Sequence, residues 1–156
     1  SDYLKQSTQK LPLLIADLKG DVIDQILEEE NIREIKSYIH APGYIANTDL
    51  AALYCGAFAF LYPSLRESFG IPMLEAMACG TPIIAGNTSA MPEIAGEGAL
   101  LADPFNSNDI TKKILQLEND QTLYQQQVEY GIQRSQLFSW RNTAESLLKI
   151  YKEFAK

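Results

Sequence analysis

The sequence predicts an α/β fold, a doubly wound parallel sheet with helices on both faces. Three observations carry that expectation. Short apolar runs recur between helical segments across residues 11–118. Those runs are continuously apolar rather than alternating, as strands buried on both faces are. Strand and helix also take turns along the chain, which is how parallel neighbours are connected. A length of 156 residues fits one domain, 1–156.

The elements follow in order. "LPLLIA" (Leu11 to Ala16) predicts a buried strand, closed by the turn "DLKGD". Asp21 is suited to cap a helix through about Asn31, with Val22, Ile23, Ile26 and Leu27 on its inner face. "EIKSYIHAPGYI" reads as a strand that ends at the Pro-Gly break. Asn47 or Thr48 caps the short helix "TDLAALYCG", closed by Gly56. "AFAFLYP" is another strand, ended by Pro63. A loop then leads to a helix from Pro72 to Cys79, stopped by Gly80. "TPIIA" is a strand, "SAMPEIAG" a short helix and "GALLADP" the last strand. Asn106 or Ser107 starts a helix to about Leu117, and a second covers about Thr122 to Leu137. The third follows Ser139 and carries Trp140, Ala144, Leu147, Leu148, Tyr151 and Phe154 at helical spacing. Asp17–Asp21, Pro42–Asn47, Pro63–Ile71 and Gly86–Pro92 all follow strands and should share one rim, where ligands of such sheets bind.

Composition narrows the function. The net charge is -7, from 13 basic and 20 acidic residues. That lacks the basic footprint of a nucleic-acid or anionic-membrane surface. Cys55 and Cys79 have no CxxC or metal-ligand spacing and read as reduced, buried small residues. The apolar run "AFAFLY" is far too short to span a bilayer, so no transmembrane segment is expected. No signal-peptide pattern is visible, and the expected setting is cytosolic.

The segment "ESFGIPMLEAMACG" (Glu67 to Gly80) carries the chemistry. Pro72 suits the first helical position. The amides of Phe69, Gly70, Ile71, Met73 and Leu74 should lack intrahelical partners, and Gly70 lets another group approach the backbone. Such a helix start suits phosphate. Two carboxylates beside it would repel that anion, so they need another task. Ionised carboxylates accept hydrogen bonds from hydroxyls, at about 1.5–3 kcal/mol each. A ligand with phosphates between hydroxyl-rich rings, such as a sugar nucleotide, uses both features. The spacing of two Glu alone is weak support. The plain structural reading makes Glu67 a solvated loop residue and Glu75 a first-turn Glu favoured by the helix dipole.

The full run "LYPSLRESFGIPMLEAMACGTPIIAGNTSAMPEIAGEGALLADPFN" resembles the C-terminal donor-binding domain of retaining glycosyltransferases of family 4, also called group 1. The likeness extends upstream through "APGYIANTDLAALYCGAFAFLYP" and downstream to "FSWRNTAESLLKIY", about residues 11 to 151. It implies the C-terminal half of a GT-B enzyme, with a Rossmann-like sheet. It also implies roles. Glu67, the candidate catalytic residue, would hydrogen-bond donor-sugar hydroxyls near the anomeric centre. Glu75 would hold the ribose, with Leu74 packed nearby. Ser68, Phe69, Gly70 and Ile71 would contact the sugar and diphosphate. Tyr44 and Ile45 would border the nucleobase. The donor would be a nucleotide sugar such as GDP-mannose or UDP-glucose, with no cofactor and no required metal. Configuration at the anomeric carbon would be retained, and the hexose would pass to a glycan or lipid-linked acceptor.

The chain departs from that pattern in being short. The resemblance leads us to expect a missing N-terminal acceptor domain and a missing first strand of this domain, so that the fragment alone is inactive. A peripheral membrane contact would come through that N-terminal domain. The family's diphosphate-gripping Arg and Lys have no sure match here; Lys19 and Arg66 are the candidates, each otherwise a solvated side chain. His40 reads as a structural or rim residue, Glu93 as a helix-start residue in a supporting role, Ser64 as a rim residue that orders the loop, and Trp140 as packing. Part of the closing helix's apolar face should be exposed, because in the family that region reaches toward the partner domain. A non-catalytic nucleotide-sugar-binding module, or half of a split enzyme, is the alternative. An NAD-dependent Rossmann enzyme needs a G-x-G-x-x-G that "IADLKGD" does not supply, and an epimerase needs a different pattern of acids.

Overall fold

The computed structural model describes residues 1–155. Helix α1 (Asp2–Gln6) leads to β1 (Leu13–Ala16), α2 (Gly20–Glu29), a 3-10 turn (Arg33–Tyr38), β2 (Ile39–Gly43) and α3 (Asn47–Gly56). Then come β3 (Phe60–Tyr62), α4 (Ile71–Ala78), β4 (Ile83–Gly86), α5 (Met91–Ala95) and β5 (Leu100–Ala102). Helices α6 (Ser107–Asn119), α7 (Gln121–Gln136) and α8 (Trp140–Phe154) close the chain. All strand pairs are parallel, with β1 beside β2 and the others in the order β3-β4-β5.

The three-stranded sheet is doubly wound, as expected. Successive residues of a strand point to opposite faces, and β4 shows it. Ile83 and Ala85 join Met73, Ala76 and Met77 of α4 and Met91, Ile94 and Ala95 of α5 in one buried cluster. Ile84 faces the other way and meets Ala102 and Leu117, with Ile110, Ile114, Leu123 and Tyr124 of α6 and α7 around them. The edges of the C-terminal helices are also as expected. Asn106 accepts from the amides of Asn108 and Asp109, and Ser139 from that of Asn142.

Several expectations are corrected. The single sheet is two, because among the described residues no ladder joins β1 or β2 to β3. The expected strand over Glu34–Tyr38 is a 3-10 turn. Arg33 and Lys36 draw it onto α2 through ion pairs with Glu28 and Asp24. Val22 and Ile26 are 40% and 42% exposed, whereas Ile23 and Leu27 are buried. A two-stranded sheet is too narrow to cover the whole apolar stripe of α2. Asp21 caps nothing: the helix begins at Gly20, and the Asp21 carboxylate takes only the next amide, that of Val22, at 3.0 Å. Asn47 is already helical, so Ala46 stands at the cap without a side-chain bond. Cys55 is exposed, since α3 has no buried residue, and Cys79 is half-buried at the end of α4; both are free thiols. Trp140 is 85% exposed and α8 buries no residue. The packing role expected of Trp140 is therefore absent, while an exposed apolar face on α8 was expected. His40 lies exposed in β2, in register with Leu14. Among the described residues, no helix is long and apolar enough to cross a membrane.

Candidate functional site

Strand β3 delivers the chain to the rim, and the loop 63–70 carries it back into α4. The turn into α4 depends on Gly70, whose φ is +91°. A Cβ there would stand 2.6 Å from the Met91 Cε. Only glycine meets both conditions without strain. The helix starts one residue earlier than expected, at Ile71, with Pro72 in its first turn. The Met73 amide is already paired, to the Gly70 carbonyl at 3.1 Å, contrary to expectation. Among the described residues the amides of Phe69, Gly70 and Ile71 have no protein acceptor, so three consecutive donors remain for a ligand. Phe69 is anchored edge-on against Phe138, at 5.7 Å between ring centroids.

Glu67 sits above this turn, half-buried. Its Oε1 accepts from the Tyr62 hydroxyl at 2.7 Å and from Ser64 Oγ at 3.1 Å. Burial, the hydrogen bond to Glu67 and the charge of Glu67 together push the Tyr62 phenol far up from its ordinary value. Ser64 orders the loop, as expected of it. Glu75 is exposed in the second turn of α4, not the first. The reading of Glu75 as a dipole-stabilised first-turn Glu is thus excluded. Its charge is felt by Tyr54 of α3, whose phenol is raised first by burial and then by Glu75. Leu74 is half-buried against the core and Ile71 is 51% exposed. Ser68 is exposed between Glu67 and Phe69.

The four rim loops come together as two pairs. The Asp17 amide donates to the Gly43 carbonyl at 2.9 Å, and Lys19 bridges to Pro42. This pair presents Lys19, exposed at the start of α2, and Tyr44, 79% exposed, beside half-buried Ile45. The second pair joins the Glu67 loop to the turn after β4. Among the described residues no hydrogen bond links one pair to the other. Arg66 is exposed and takes no part in the ion pairs found among the described residues. Glu93 lies in the first turn of α5, where its carbonyl accepts from Arg134 of α7; Arg134 also donates to Ile94 O at 2.8 Å. A shallow hollow lined by Lys112, Leu115, Gln116, Asn119, Asp120 and Leu123 shares no residue with the rim.

Sequence reasoning missed Tyr62, Thr88 and Ser89. The Thr88 Oγ1 donates to the Ser64 carbonyl at 3.1 Å, and Ser89 Oγ bonds both backbone groups of Glu67. Tyr62 was hidden as one more apolar strand residue. A polar "NTS" turn directly after a buried strand was the available signal for the others.

Known proteins match this chain in sequence and fold. The family of glycosyl transferases group 1 matches over residues 1–134. O-antigen chain mannosyltransferase B of Escherichia coli is 35% identical over 150 residues, which is 94% of this chain and 39% of that protein. The C-terminal domain of a glycosyl transferase group 1 family protein (LpcC) from Francisella tularensis superposes with a TM-score of 0.72 at 26% identity, over 87% of this chain and 73% of that one. Anabaena Alr3699/HepE, solved in complex with UDP, superposes at 0.81 and 19% identity, over 97% of this chain and 43% of that one, and shares the fold. The chain thus spans about two fifths of the length of the mannosyltransferase it matches.

Proposed function

The chain belongs to the glycosyl transferases of group 1, and from that premise we propose that it is the donor-binding, C-terminal part of a retaining family 4 enzyme. One observation carries the reading: a single loop presents the Glu67 carboxylate and the unpaired amides of Phe69, Gly70 and Ile71. Amides suit the diphosphate of a nucleotide sugar, and the carboxylate suits the hydroxyls of its hexose. Glu75, exposed beyond the loop, takes the ribose, with Leu74 beneath it. Tyr44 and Ile45 border the base. Lys19 and Arg66 are the basic side chains available to the diphosphate. Ser68 and Ile71 line the sugar.

In the transfer the anomeric carbon–oxygen bond breaks, and its electron pair leaves with the nucleoside diphosphate. The acceptor hydroxyl attacks from the same face, forms the new bond to that carbon and passes its proton to the departing phosphate oxygen. Negative charge grows on the departing phosphate, where fixed amide dipoles stabilise it. No metal or cofactor is required by this reading. The likeness to an O-antigen mannosyltransferase favours mannose over glucose. A glycan or lipid-linked acceptor would be held by an N-terminal domain, and the chain alone would bind donor without transferring it. The likeness to a C-terminal domain supports that division.

Calorimetric titration with UDP, GDP, UDP-glucose and GDP-mannose tests it. Glu75→Ala is expected to weaken nucleotides and nucleotide sugars alike, whereas Glu67→Ala weakens only the nucleotide sugar. Equal damage to bare nucleotide by both changes would refute the division of labour. Robust turnover of donor and acceptor by this chain alone would refute its dependence on a second domain.

A further inference from the structure

Ser89, in the turn after β4, reaches 22 residues back along the chain to Glu67. Its Oγ accepts from the Glu67 amide at 3.1 Å and donates to the Glu67 carbonyl at 2.6 Å. One hydroxyl has one proton and free lone pairs, so it can serve both groups at once. Its neighbour Thr88 holds the Ser64 carbonyl at 3.1 Å. This approach requires Gly86, since a Cβ there would lie 2.7 Å from the same carbonyl. The two ends of Ser64–Glu67 are thus fixed from one turn. Ser89 itself has φ +57°, a conformation few non-glycine residues adopt. The side chain of Glu67 is fixed separately. Tyr62 and Ser64 both donate to Oε1, and Oε2 receives no hydrogen bond from the described residues.

We propose that Ser89 and Tyr62 are positioning residues for Glu67: Ser89 fixes its backbone and Tyr62 the rotation of its carboxylate, so that Oε2 is the oxygen offered to the donor sugar. This rests on the reading of Glu67 given above. The plain competitor is that Ser89 only ties two loops together for stability. The left-handed backbone separates the two. Ser89→Gly deletes the hydroxyl but relieves the backbone, so stability is maintained while aim is lost.

The chain is titrated with UDP, GDP, UDP-glucose and GDP-mannose. Ser89→Gly and Tyr62→Phe are each expected to weaken the preferred nucleotide sugar about tenfold and bare nucleotide by less than about twofold. The melting temperature of Ser89→Gly should not fall. Each change should cost nothing further when added to Glu67→Ala, because residues that act through one group are not additive. A loss that persists in full on top of Glu67→Ala, or one shared equally by bare nucleotide, overturns the positioning role and leaves the reading of Glu67 standing. So does wild-type affinity in both Ser89→Gly and Tyr62→Phe. Unchanged nucleotide-sugar affinity in Glu67→Ala alone, or a wild-type chain that binds none of the four compounds, overturns both.

Discussion

Strands β1 and β4 are each four residues long, apolar and parallel to their neighbours, yet they live in different surroundings. β4 lies between β3 and β5, with helices on both faces, and every residue is buried. β1 has one neighbour, and its Leu13 and Leu14 are 40% and 46% exposed. Apolar composition says what a strand is able to bury; only its neighbours decide what covers it. The consequence reaches the rim. The Glu67 loop grows from the covered half and is braced by Met91, Tyr62 and the turn after β4. Lys19 and Tyr44 stand on the open half, exposed.

Truncation should expose this contrast most strongly. Met77, fully buried, should cost about 2–5 kcal/mol on change to Ala. Leu14→Ala should cost under about 1 kcal/mol, because nearly half of its surface never leaves water. Equal losses in chemical denaturation would mean that β1 is covered in solution and the contrast is wrong. Gly70→Ala comes next, at about 1–3 kcal/mol, from its positive φ and the contact with Met91. A melting temperature equal to wild type would show that the loop is not braced as described.

A smaller effect lies at the tether between the N-terminal segment and α6. The Glu118 carboxylate accepts from Tyr3, Ser7, Thr8 and the Gln9 amide. Burial pushes its pKa up, but the hydrogen bonds, led by those of Ser7 and Tyr3, outweigh it and hold the group below the ordinary carboxylate value. A lowered folded pKa contributes stability that is complete above the unfolded value of about 4.3 and is lost as pH falls through the folded one. The hydrogen-exchange protection of the Lys10 amide, which is bonded to Ser7 Oγ, should therefore fall in acid by more than the chain's average. Glu118→Gln should remove that pH dependence; an unchanged profile would discard the tether as its source. The smallest change is expected from Lys36→Ala. Its pair with Asp24 is largely solvent-exposed, so denaturation should register about 0.2–1 kcal/mol.

The sequence made local features legible. The caps at Asn106 and Ser139, the glycine stop at Gly80 and the Pro72 helix entry each act within a few residues, and local chemistry determines them. The Glu67 loop was legible as a helix start with spare amides and an acid beside it. Other features depend on distant partners. The bond from Ser89 to Glu67 spans 22 residues, and nothing near a serine announces a left-handed backbone. The parting of β1 and β2 from β3 was hidden because strand pairing is decided between non-neighbours. Val22 and Ile26 matched the helical period of α2, but the sheet beneath is two strands wide.

The Ser7–Glu118 contact has a consequence for how the chain assembles, because its partners are 111 residues apart. During synthesis Ser7 leaves the ribosome 111 residues ahead of the group it needs. Closing so long a ring costs entropy before any contact rewards it. The segment before β1 therefore docks only after α6 has formed, and its contact with Glu118 is among the last to be made.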